Sequence, residues 1–268
     1  MIKVGIVGVG AIGAELARRC VRDFKDEVRF VGIHDTDVSR VKALSKSLGL
    51  KRTFTLKALI KQCDLVIEAA SSAAAFNIAK QALTYGKDVM LMSSGGLIGN
   101  EKEIYELAAS HRCCVYLPSG AVCGLDGLKS AQIGRVKRVE LTTRKPPVSL
   151  RNAPHIIKKK IDLNTIKEET LVFEGTAAKA IIGFPQNVNI SATLSLAGVG
   201  AQRTKVKIYA CPGLEFHVHE VIIEGDFGSL YTRTQNKPST INPKTSQMAI
   251  LSAVATLKRI LGNVKVGT

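Results

Sequence analysis

The chain has 268 residues, of which 46% are hydrophobic and 22% charged, so it can bury a sizeable core and stay in water. No uninterrupted apolar run reaches the ~18 residues of a membrane span, which excludes a spanning helix. Lysine and arginine number 38 against 22 acidic residues, for a formal charge of +16. The basic residues are scattered, though, and the densest run, IIKKKID at 156–162, has no interleaved aromatics. With 5% aromatics and no tryptophan, stacking platforms for nucleic acid are poorly supplied, and the charge reads as a solvated surface that draws in anionic ligands. The six cysteines form no C-x-x-C pair and no zinc spacing, so no metal site is expected. They suit a reducing compartment, and the start of the chain carries no secretory pattern, so the expectation is a cytoplasmic protein.

Residues 2–7 (IKVGIV) are short, apolar and β-branched, and predict a buried parallel strand. A helix follows over 11–22, with Ile12, Leu16 and Ala17 on one side. VRFVGIHD (28–35) predicts a strand, and 37–49 a helix that Gly49 stops. The alternation continues: strand 63–70, helix 71–86, strand 87–93, helix 99–111, strand 113–120. Strand and helix in strict turn with short loops specify a doubly wound parallel sheet. After about residue 134 the character changes. VKRVELTTRKP (136–146) alternates polar and apolar, as a half-exposed strand does. A polar stretch to 169 shows no recognisable motif. TLVFEG, a small-residue helix near 175–182 and a helix in 187–198 follow. Three segments, 204–213, 215–225 and 226–238, read as successive antiparallel strands, and 244–261 as an apolar helix. The fold expected is α/β: an N-terminal Rossmann domain, 1–120, completed by the C-terminal helix 244–268. A second α+β domain with a mostly antiparallel sheet, 121–243, would carry substrate binding and dimerisation.

Gly8-Val9-Gly10-Ala11-Ile12-Gly13 is a G-x-G-x-x-G directly after a strand and opening a helix, the context a dinucleotide site requires. Gly8 permits the turn, Gly10 lets a pyrophosphate approach, and Gly13 lets the helix lie close to the strand. Ala11 and Ile12 open a helix whose free N–H groups face the phosphates. Asp35, 22 residues beyond Gly13, stands where an acidic side chain accepts from the adenosine ribose. An aspartate there repels a 2′-phosphate and favours NAD, while Arg40 leaves room for NADP. Ala70, Ser71 and Ser93 end the third and fourth strands, where ligands of such sheets bind.

Three further stretches are distinctive: LPSGAVCGLDGLKSA (117–131), FEGTAAKAIIGFPQNVNISATLSLAG (173–198) and NKPSTINPKTSQMAILSAVATLK (236–258). With GVGAIG and SSGGL (93–97) they resemble the L-aspartate dehydrogenase family over nearly the whole chain. The resemblance implies NAD(P)-dependent oxidation of L-aspartate to iminoaspartate. The product then hydrolyses to oxaloacetate and ammonia or feeds quinolinate and NAD synthesis. It also implies a homodimer, with quinolinate synthase as a partner. By the same resemblance His219 is the catalytic base, and Ala121 and Asn189 contact the cofactor. On the residues alone, His217 and His219 share one face of a strand, and nothing in their spacing chooses between them. Asn242, Lys244, Thr245 and Ser246 are candidates for the substrate carboxylates, Lys244 foremost; Thr245 and Ser246 suit a helix cap equally well. Two other functions fit less of the sequence. Cys123, ahead of a helix start, suits an acylating semialdehyde dehydrogenase. A basic, NAD-sensing regulatory or nucleic-acid-binding module would need a helix-turn-helix, and the pattern has none.

Overall fold

The structure is a computed structural model that describes residues 1–185, 189–240 and 245–268. The chain divides into two compact units, Met1–Pro118 with Ile250–Lys265, and Ser119–Ala249 with Val266–Thr268.

In the first unit strands and helices alternate: β1 (Ile2–Val7), α1 (Ala11–Arg22), β2 (Val28–His34), α2 (Val38–Leu48), α3 (Leu56–Gln62), β3 (Leu65–Glu68), α4 (Ser72–Thr84), β4 (Asp88–Leu91), α5 (Glu101–His111) and β5 (Val115–Tyr116). All pairings are parallel, in the order β2-β1-β3-β4-β5. Every residue of β3 is buried, and so are the last four of β1. That explains continuous apolar runs in place of alternation. Leu16 and Ala17 of α1 close over Val4, Ile6, Ile67 and Met90, together with Ala253 and Leu257 from the helix Gln247–Leu261. The strand order reverses between β1 and β3, which opens a crevice at their C-terminal ends. Two elements differ from expectation. The segment 50–62, unassigned in the sequence reading, holds α3, whose first turn is capped by the Thr55 hydroxyl accepting from Ala58 N. The fifth strand shrinks to two residues at the sheet edge.

The second unit contains α6 (Leu125–Ala131), β6 (Val136–Lys145), α7 (Pro154–Lys158), β7 (Thr170–Thr176), α8 (Ala177–Gly183), α9 (Asn189–Ala197), β8 (Thr204–Ala210), β9 (His217–Gly225), β10 (Gly228–Asn236) and the start of α10 (Gln247–Leu261). Its sheet runs β10-β9-β6-β8-β7, antiparallel except for β6 with β8. The expected succession of antiparallel strands therefore needs correction. β9 and β10 do form a hairpin, but β6 is inserted between β8 and β9. Inward positions of β6 (Val139, Leu141) meet Val221 and Ile223 of β9 and Val206 and Ile208 of β8 in one core. Outward positions carry charge: Arg138 pairs with Glu140 and Glu224, and Arg144 with Glu169 and Glu220.

Candidate active site

The glycine-rich turn joins β1 to α1. Gly8 has φ +99°, and a methyl built on it would collide with the Ala69–Ala70 backbone. A methyl on Gly13 would collide with the Gly8 carbonyl oxygen, so α1 rests directly on the turn. A methyl on Gly10 meets nothing within 4 Å. Gly10 is also the N-cap of α1 and offers no side chain to its first turn. Open backbone beside uncapped N–H groups is what a pyrophosphate needs. A cavity of about 420 Å³ opens here, lined by Gly8, Gly10, Asp35, Thr36, Ala70 and Ser71, with Arg40 and Leu56 on its wall. Asp35 accepts from Val9 N at 2.6 Å and from Asp37 N at 2.9 Å, so its carboxylate is oriented by the turn itself. Ala11, Ile12, Gly13 and Ser93, also expected at the cofactor, do not line this cavity. These features fit a dinucleotide.

Sequence reasoning missed Glu68, which is fully buried at the end of β3. Its carboxylate accepts from Ala70 N at 2.8 Å and Ser93 N at 3.0 Å, tying together the loops after β3 and β4. Burial raises its pKa against the lowering effect of those hydrogen bonds. Ser93 thus reaches the cavity region through Glu68 rather than by lining it.

In the second unit, the inward face of the sheet turns polar towards one end. Thr143 is paired with His219 in the β6–β9 register, and Thr234 and Asn236 on β10 stand opposite His219 and His217. His217 and His219 are 3% and 2% exposed. Thr143 Oγ1 lies 3.1 Å from His219 Nδ1, which singles His219 out from its neighbour. Burial lowers the His217 pKa to about 4 and that of His219 well below 6.5, and the nearby Lys145 charge pushes both the same way. Lys145, the last residue of β6, is 5% exposed, and burial brings its pKa down to about 8. The sequence reading missed it too. The available signal was parity: 139, 141, 143 and 145 share one face of the strand.

Residues 126–260 match the family model described as aspartate dehydrogenase, C-terminal, and residues 8–118 match the NAD-binding domain of homoserine dehydrogenase. An L-aspartate dehydrogenase from Methanosarcina barkeri is 46% identical to this chain, over 100% of both. The chain belongs to the aspartate dehydrogenase family. A further L-aspartate dehydrogenase, from Methanothermobacter thermautotrophicus, is 38% identical over 100% of this chain and 99% of its own. In fold the chain resembles the crystal structure of aspartate dehydrogenase from Thermotoga maritima, with TM-score 0.72 and 24% identity over 100% of both chains.

Of the residues that this family resemblance assigned, Ala121 is buried, and its carbonyl accepts from Thr234 Oγ1 and Asn236 Nδ2, both at 3.1 Å. Asn236 thus ties the end of β10 to the loop that carries Ala121. Asn189 opens α9 and is exposed. Asn242 and Lys244 lie outside the described residues. Ser246 is a helix cap: its hydroxyl accepts from Ala249 N at 3.1 Å. The Thr245 carbonyl accepts from Ser239 N at 2.7 Å. Cys123 is exposed two residues before the seven-residue α6. Among the described residues no helix is long and apolar enough to cross a membrane.

Proposed function

We propose that this chain oxidises L-aspartate at its α-carbon to iminoaspartate, with NAD(P) as coenzyme. The observation that carries the reading is the buried His219 imidazole, engaged by Thr143 at Nδ1, in a family member with an open cavity beside its glycine-rich turn. Gly8, Gly10 and the N-terminus of α1 would hold the pyrophosphate, with Asp35 on the adenosine ribose and Ala121 and Asn189 as further contacts. Asp35 in the cavity supports NAD over NADP, since a carboxylate repels a 2′-phosphate. The bound coenzyme supplies the hydride acceptor.

In the tautomer whose Nδ1–H donates to Thr143 Oγ1, His219 presents the Nε2 lone pair. That atom takes a proton from the substrate ammonium, which frees the nitrogen lone pair to form the C=N bond. Burial and the Lys145 charge hold the His219 imidazole in its neutral form, the form that has a lone pair to offer. The same nitrogen can activate water to hydrolyse the imine to oxaloacetate and ammonia; alternatively the imine leaves for quinolinate and NAD synthesis. We place the protein in the cytoplasm as a homodimer; the six free thiols agree with a reducing compartment.

His219→Ala tests this. It should lose about 10²–10⁴-fold in turnover with L-aspartate while binding coenzyme as before. Unchanged turnover would remove His219 from the chemistry.

A further inference from the structure

We infer that the basic cavity at the amino-terminal ends of the first sheet's strands binds a compact polyphosphate anion. The site stands apart from the aspartate chemistry.

The cavity, of about 390 Å³, gathers Lys3, Arg29, Arg52, Lys61 and Lys87 around one carboxylate, Asp64, with Phe30 and Phe54 in its wall. The sheet register builds it. Lys3 on β1 and Arg29 on β2 are partners in a parallel pair, so two cations stand side by side. Asp64 and Lys87 extend this row, each one residue ahead of its strand, β3 and β4. Asp64 is turned to the backbone, its Oδ2 accepting from Lys3 N at 2.9 Å. Arg52 and Phe54 come from the loop ahead of α3. That loop is anchored where the Phe54 carbonyl lies 2.9 Å from His34 Nδ1 and the Phe54 ring packs against Gly32. Among the described residues, none of the five cations takes part in an ion pair; Lys61 Nζ instead lies 5.3 Å from the Tyr85 ring centre. Other cations of this unit are paired: Arg19 with Glu15 and Asp23, Arg40 with Asp37, Lys80 with Glu103.

Like charges held opposite one another cost stability, and a concave wall focuses their field. A polyvalent anion offsets both. Phosphate oxygens suit guanidinium and ammonium donors, and the volume is that of a small-molecule site. The coenzyme cavity lies at the other ends of the same strands, at Gly8 and Asp35, so the two can be filled together.

Isothermal titration of the full chain, saturated with NAD so that the coenzyme cavity is filled, tests this with inorganic triphosphate and with ATP. Wild type should bind one triphosphate saturably. Lys3→Gln with Arg29→Gln should weaken it roughly 10-fold or more, two charge-assisted contacts being lost. Both residues are exposed and neither lines the coenzyme cavity, so NAD affinity should hold and report an intact fold. Lys158→Gln with Lys159→Gln removes equal charge from the densest basic run and should leave triphosphate binding unchanged. ATP binding as tightly as triphosphate means that phosphate alone is read; tighter ATP adds the Phe30 and Phe54 wall; either supports the site. No saturable binding in wild type, or equal losses in the two double variants, overturns it. So does a short DNA duplex that binds through Lys3 and Arg29 where triphosphate does not.

Discussion

Gly10 and Gly13 stand three residues apart and answer to different demands. Space around Gly10 is open, so Gly10→Ala should leave thermal stability unchanged and weaken coenzyme binding, because the added methyl occupies the approach to the α1 N-terminus. Gly13→Ala drives a methyl into the Gly8 carbonyl and should lower the melting temperature. Calorimetry with and without coenzyme separates the two; equal melting losses would refute the division of labour. Spacing was enough to place these glycines and Asp35, because a tight strand–helix turn leaves few alternatives. Lys145 and Glu68 were hidden for the opposite reason. Composition puts lysine and glutamate outside, and only tertiary partners reveal that these two are inside. His219 over His217 likewise depended on Thr143, 76 residues away in the chain.

At the scale of elements, local patterning located nearly every strand and helix. What failed was pairing. The parallel β6–β8 contact is made after β7, α8 and α9 have carried the chain across and back, and no local period records that return. α3 was missed because its seven residues span less than two full turns and leave little periodicity to read. The last helix shows an ambiguity that geometry resolves: Ser246 suited a carboxylate or a cap, and its hydroxyl accepts from Ala249 N. Ser246→Ala should therefore cost about 1 kcal/mol of stability and leave KM for L-aspartate unchanged. A raised KM at unchanged stability would return Ser246 to the substrate site.

For the molecule as a whole, +16 of formal charge coexists with ion-paired networks on the outer face of the second sheet, where the buried Glu140 and half-buried Glu220 are held below the usual carboxylate range by their arginine and lysine partners, against the raising effect of burial. The stability of this unit should depend on pH through its histidines. His217 titrates near 4 in the fold and near 6.5 when unfolded, so between those values the unfolded chain binds more protons. Stability is therefore full above about 6.5 and falls as pH drops towards 4. Urea midpoints at about pH 7.5 and pH 5 should show the drop, and His217→Asn should shrink it; equal midpoints in the wild type would contradict the burial argument. The central claim is oxidation at the α-carbon of aspartate. L-aspartate carrying deuterium at that carbon, incubated with the enzyme and oxidised coenzyme, tests it most directly by mass spectrometry of the reduced coenzyme. The account predicts reduced coenzyme that carries the deuterium. Reduced coenzyme without the label, or no aspartate-dependent reduction although coenzyme binds, would contradict it.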